Sequence, residues 1–146
     1  MNRAVSPYLS SQLKPNLAKK TVRKVIAEIR RQKLEFDTIV FSGYSGSLIA
    51  PAVAMLLDKS MAFVRRETHH NHSGQKLETS GATLESFIII DDIVERGNTI
   101  KRIIKRIQDT IGYSDAKCVG VILYDGGGSD SIVKELRASG IPIFVI

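Results

Sequence analysis

Apolar residues recur along this chain in two periods. Between 19 and 32, Val22, Val25, Ile26 and Ile29 return at the three- and four-residue intervals of one helix face, with Lys and Arg between them. A second stripe, Ile100, Ile103, Ile104, Ile107 and Ile111, predicts a helix over 99–111. Continuous apolar runs alternate with these stripes. Residues 38–41, 61–65, 86–90, 117–124 and 142–145 read as strands. Residues 48–57 read as a buried helix that admits Pro51 in its first turn, and Ser129 as the cap of a helix through Leu136.

Runs such as Ile88-Ile89-Ile90 and 119–123 are apolar on both faces of a strand. A strand of that kind is covered on both sides, which predicts a three-layer α/β domain with a mostly parallel sheet flanked by helices. No repeat, low-complexity tract or linker divides residues 1–146, so one domain is expected, with 1–18 as an irregular N-terminal arm. Residues 66–84 are polar and read as a long loop. In an open parallel sheet ligands bind beyond the carboxyl ends of the strands. Three loops are predicted there, at 42–47, 91–98 and 125–128.

Composition narrows the class. Hydrophobic residues make up 43% and charged residues 25% of the chain, and no apolar run approaches a membrane span of roughly 20 residues. Cys118 is the single cysteine, which rules out an internal disulfide and fits a reducing, cytoplasmic location. It lies in a strand pattern and reads as core filler. The net charge of +6 collects in two places, Lys19, Lys20, Arg23, Lys24, Arg30, Arg31 and Lys33, then Lys101, Arg102, Lys105 and Arg106. These are either solvated helix faces or a surface for polyphosphate or nucleic acid. No aromatic residue interleaves with them, so stacking on single-stranded nucleic acid gains no support.

The chemistry concentrates in residues 87–99, Phe-Ile-Ile-Ile-Asp-Asp-Ile-Val-Glu-Arg-Gly-Asn-Thr. A buried strand ends in the paired carboxylates Asp91 and Asp92. A glycine-containing turn then opens a helix. The start of a helix offers unpaired N–H groups and partial positive charge to a phosphate. Carboxylates accept hydrogen bonds from sugar hydroxyls or share in holding a divalent cation. A ligand with both a phosphate and a ribose would satisfy the whole loop.

This stretch resembles the PRPP-binding motif of type I phosphoribosyltransferases. Phe87 to Ile90 match the motif's strand, Asp91 and Asp92 its acidic pair, Ile93 and Val94 its apolar pair, and Gly97 and Thr99 its turn. Glu95 and Arg96 depart from the usual Thr and Ser. The resemblance covers roughly 36–146 and implies transfer of 5-phosphoribosyl from PRPP, with Mg2+, to a nucleobase, releasing pyrophosphate. It implies that Asp91 and Asp92 hold the ribose hydroxyls and the PRPP-bound Mg2+. Glu95 would serve a proton on the base, and Arg96, Gly97, Asn98 and Thr99 would hold the 5-phosphate. Ser45 and Gly46 would belong to the pyrophosphate loop, where a strained non-proline peptide bond would fall within 43–45. Arg65 and Arg66 would open a catalytic loop that closes over PRPP. Each of these segments also has a plainer reading, as a β–α turn or a surface hairpin.

His69, His70 and His72 lie in the long loop without a second ligand-bearing segment, so pyrophosphate contact is preferred over a metal site. Tyr124 to Gly128 reads equally as a base-bordering loop or as a tight turn. The predicted C-terminal strand ends the chain, leaving little or no hood over a base beyond the arm and the long loop. A regulatory PRPP- or nucleotide-binding protein of the same fold, touching RNA through the basic helices, is the alternative. Family members are often homodimers, and the sequence leaves the oligomeric state open.

Overall fold

The computed structural model describes residues 6–66, 74–80 and 83–146. After an arm of turns, helix α1 spans Pro15–Arg31, followed by strand β1 (Thr38–Phe41), helix α2 (Gly43–Leu57) and strands β2 (Ser60–Val64) and β3 (Leu77–Thr79). Strand β4 (Ser86–Val94), helix α3 (Asn98–Gln108), strand β5 (Lys117–Gly128), helix α4 (Asp130–Ala138) and strand β6 (Ile143–Val145) complete it. The six strands form one sheet in the order β3-β2-β1-β4-β5-β6. All neighbours are parallel except β2 and β3.

The doubly apolar runs behave as their pattern requires. Ile39, Val40 and Phe87 to Ile90 are fully buried, and their alternate side chains enter two cores on opposite faces of the sheet. One core gathers Val40, Phe87 and Ile89 with Ile100, Ile103 and Ile107 of α3 and Leu136 of α4. The other gathers Ile39, Ile88 and Ile90 with Val25 and Ile29 of α1 and Ile49 and Val53 of α2. The three-layer α/β fold expected from the sequence is therefore present.

Several boundaries differ from the reading of the sequence. Helix α1 begins at Pro15 because proline's fixed φ and missing N–H suit a first turn. Helix α2 begins at Gly43, so the 42–47 loop is its opening turn and Pro51 lies inside the helix. The glycine run 125–128 belongs to β5, where Gly127 and Gly128 pair with Ile93 and Val94. Helix α3 stops at Gln108, and Ile111 is fully exposed although it continues the apolar stripe. The expected loop over 66–84 contains β3, which returns along β2 as an antiparallel hairpin. The expectations for His69, His70 and His72 fall outside the described residues.

The order of strands positions the site. The chain runs from β1 outward to β2 and β3, then crosses back to place β4 on the other side of β1. This is a topological switch point, where adjacent loops part and leave a crevice. Ser42 follows β1 and Asp91 lies near the end of β4, so the crevice opens between them.

Candidate phosphate and ribose site

A cavity of about 450 Å³ lies at the switch point, and both residues of the acidic pair line it. Ser42, Tyr44 and Ser45 come from the start of α2, and Arg66 from beyond β2. The whole stretch from Asp91 to Ile100 contributes, and Tyr8 and Leu9 close it from the arm. Of the residues singled out in the sequence, Ser45, Arg66, Asp91, Asp92, Glu95, Arg96, Gly97, Asn98 and Thr99 meet here.

Two predicted residues do not line the cavity. Gly46 is a packing glycine: a Cβ there would stand 3.0 Å from Phe41 Cβ and 3.2 Å from the Ile90 carbonyl oxygen. Arg65 turns to the hairpin, where it pairs with Glu78 at 3.3 Å and lies over the Phe63 ring. Arg66 instead reaches back, with its guanidinium 3.3 Å from where a Cβ of Gly43 would stand. Gly43 has φ +72, which a residue with a side chain rarely adopts. No cis peptide bond occurs among the described residues, so the strained bond expected in 43–45 is absent and this positive φ is the local departure.

The acidic pair sits where the sheet becomes irregular. Asp91 pairs in register with Leu123, but the next pairing joins Ile93 to Gly127, so Asp92 faces a bulge. Bulges re-aim side chains beside functional sites. Asp91 Oδ1 accepts from Ser45 Oγ at 2.9 Å and from the Asp92 amide at 3.0 Å. Asp92 Oδ1 accepts from the Ile93 amide at 2.8 Å, and Oδ2 from the Tyr8 hydroxyl. Both of these bonds to the Asp91 carboxylate fall on Oδ1. Burial, offset in part by the bonds from the Asp92 amide and Ser45 and reinforced by the neighbouring Asp92 charge, pushes the Asp91 carboxyl up to about 6.

The start of α3 offers the anionic half of the site. Gly97 caps it with φ +74, and no side chain satisfies the first N–H groups. Those groups and the helix dipole remain available to a phosphate. Glu95, Arg96 and Asn98 are exposed on the cavity rim. One turn on, Arg102 crosses to the far wall, donating to the Arg65 carbonyl at 2.9 Å and to Ser42 Oγ at 3.2 Å. Ser42 Oγ in turn donates to the Val64 carbonyl at 2.6 Å, tying the ends of β1 and β2 to α3. In the sequence Arg102 reads only as part of a basic helix face.

Two tyrosines escaped the reading of the sequence as site residues. Tyr8 donates to a carboxylate 84 positions away, a contact with no local signature, and that bond to Asp92 raises its hydroxyl to about 12. In the sequence Tyr124 opens the stretch that reads equally as a base-bordering loop or a tight turn, with no role of its own. Its hydroxyl donates to the Ser45 carbonyl at 2.7 Å and its pKa is raised, first by burial and then by Asp92 and Asp91. Residues 125–128 do not line the cavity, and instead of a tight turn they extend β5.

The carboxylates also answer whether Mg2+ fits. No group of three or more His, Cys, Asp or Glu that could hold a metal occurs among the described residues. Two adjacent carboxylates suit a Mg2+ that takes its other ligands from substrate oxygens and water.

Comparison with known proteins agrees with this geometry. The chain is 31% identical over 133 residues to the transcriptional regulator GfcR of Methanocaldococcus jannaschii, covering 85% of this chain and 57% of that protein. It is 29% identical over 120 residues to adenine phosphoribosyltransferase of Pelagibacter ubique, covering 73% of this chain and 69% of the enzyme. The chain thus spans little more than half of the regulator's length. Orotate phosphoribosyltransferase of Francisella tularensis shares the fold with a TM-score of 0.71 at 17% identity, over 92% of this chain and 67% of its own. The family model described as phosphoribosyl transferase domain matches residues 10–131. With that match over most of its length, and with the sheet order, acidic pair and helix start described above, this chain belongs to the phosphoribosyl transferase domain family.

Proposed function

We propose that this chain is a phosphoribosyltransferase that moves the 5-phosphoribosyl group of PRPP onto a nucleobase nitrogen and releases pyrophosphate. The observation that carries the reading is one cavity holding both the Asp91–Asp92 pair and the uncapped start of α3. In this reading the N–H groups at 98–100, with Thr99, hold the 5-phosphate. Asp91 Oδ2 and Asp92 accept the ribose hydroxyls. Arg66 stands on the opposite wall, suited to the pyrophosphate. When bound with PRPP, Mg2+ supplies positive charge to the leaving pyrophosphate. As the C1–O bond breaks and the C1–N bond forms, the ribose ring gains positive charge, and the two carboxylates beneath it favour that charge. Glu95 on the rim takes or steers the proton of the base.

A second reading has its own support. A relative at 31% identity is named a transcriptional regulator, and exposed Arg96 occupies a turn position where the motif usually has a hydroxyl. The same site would then bind PRPP or a nucleotide as a signal, with nucleic acid or RNA contacted elsewhere, for instance through the basic helix faces.

Pyrophosphate release with PRPP, Mg2+ and a panel of purine and pyrimidine bases tests both. Turnover that Asp92→Asn abolishes supports the transferase. A PRPP-induced rise in melting temperature with no turnover on any base supports the signal-binding reading. Absence of any PRPP response defeats both.

A further inference from the structure

Arg65 is fixed at four points. Its amide donates to the Lys76 carbonyl at 2.8 Å, which extends the pairing of β2 with β3 by one step. Its guanidinium pairs with Glu78 at 3.3 Å and lies 5.4 Å from the centre of the Phe63 ring. Its carbonyl accepts from Arg102 of α3 at 2.9 Å. The first three contacts stay within the hairpin. The fourth reaches across to the helix whose start lines the cavity.

Arg66 comes next, and it is the member of the basic pair that enters the cavity. The carbonyl that Arg102 holds lies in the same rigid peptide plane as the Arg66 amide, so the grip sets the direction in which Arg66 leaves the hairpin. Further out, the Arg66 side chain lies across Gly43, where a Cβ would stand 3.3 Å from the guanidinium. Arg102 holds that surface as well. Its second prong donates at 3.2 Å to Ser42 Oγ, the residue before Gly43. Both supports of Arg66, its own peptide and the turn beneath it, are thus anchored to one half-buried guanidinium a single turn beyond the start of α3. Lysine would carry the same charge without the planar fork that serves two acceptors at once.

We propose that Arg102 is a positioning residue that fixes the Arg66 guanidinium at a set distance from the start of α3, matching the cavity to a ligand with an anionic group at each end of a ribose. The proposal rests on the reading of the cavity as a site for PRPP. Arg102 need touch neither anion, because it acts through Arg66. A ligand that joins two anions gains from both ends of the cavity only when their spacing fits. A ligand with one anion, seated at α3, gains nothing from the brace.

Calorimetry of the whole chain with PRPP and Mg2+, and with ribose 5-phosphate alone, tests this. Arg102→Lys keeps the charge and loses the fork. It should bind PRPP at least about tenfold more weakly than wild type. Its affinity for ribose 5-phosphate should stay within about twofold. Arg102→Gln should show the same split, and it takes the place of Arg102→Lys if that variant does not melt as wild type does. Arg66→Gln already forfeits what the brace supplies, so adding Arg102→Lys to it should cost little further PRPP affinity. Three results would overturn the proposal and leave the reading of the cavity intact: PRPP affinity unchanged in Arg102→Lys, equal losses for the two ligands, or losses that add to that of Arg66→Gln. A wild type that does not bind PRPP would overturn both.

Discussion

Asp91 lines the candidate site at a cost to the fold. Its carboxyl is raised to about 6, so the folded chain holds a proton there that the unfolded chain has lost. Stability from this residue is greatest below the ordinary carboxylate pKa of about 4 and is lost as pH rises through 6. Asp91→Asn removes the penalty. The melting temperature of this variant relative to wild type should climb between pH 4 and 7 and then level, by up to roughly 10 °C. Thermal scans at stepped pH measure this, and a flat difference would contradict the burial argument. Under the proposed function ligand binding would run the other way, because a cation contact needs the ionised form and an ionised carboxylate accepts more strongly from a hydroxyl. Calorimetric affinity for PRPP with Mg2+ should fall on acidifying below about pH 6, by up to tenfold per pH unit. Tyr8 adds a competitor, since its hydroxyl occupies the Asp92 oxygen that a ribose hydroxyl would use. Hydrogen bonds to charged groups contribute about 1.5–3 kcal/mol, so Tyr8→Phe should bind PRPP roughly tenfold tighter. Equal or weaker binding would make Tyr8 a bystander or a ligand contact.

At the scale of elements, the site depends on how β4 and β5 run past their regular pairing. Beyond Asp91 the strands lose register and rejoin at Ile93 with Gly127 and Val94 with Gly128. The rejoining needs glycine. At Gly128, φ is +75, and a Cβ would stand 2.5 Å from the Val94 carbonyl oxygen, closer than atoms can approach. Gly128→Ala should cost about 2 kcal/mol or more in urea unfolding, since it combines a positive φ with a backbone clash. It should also weaken PRPP binding, because it shifts the strand end that carries Asp92. A substitution tolerated within error would mean that the extension is not required. The start of α3 is set in the same way: Gly97 turns the chain at φ +74 and has Ile132 and Leu136 of α4 packed behind it.

The whole molecule is one sheet with a core on each face. The cores share every central strand, with Ile88 and Ile90 facing one and Phe87 and Ile89 the other. Neither can empty without breaking the strands of its counterpart. Thermal unfolding should therefore be a single transition, with far-ultraviolet dichroism and tyrosine fluorescence superimposing. Two separate midpoints would show that the layers unfold independently. Ile103→Ala, at a fully buried position on α3, should lower stability by about 2–5 kcal/mol and move both signals together.

Much of this protein was written in the order of its residues. Apolar period and strand-like runs determined the alternation of helices and strands, the burial of the sheet on both faces, and the acidic pair before a helix start. These are local properties: each rests on residues a few positions apart. The tertiary structure alone decided that Tyr8 reaches Asp92, that Arg102 bridges to Ser42 and Arg65, and that Gly46 and Arg65 stay out of the cavity. It also decided that the glycines after Tyr124 extend a strand and lie outside the cavity lining. Those outcomes depend on strand register and on which chain ends meet at the switch point. Contacts between positions 37 to 84 residues apart leave no pattern in a linear sequence, because packing and not periodicity selects them.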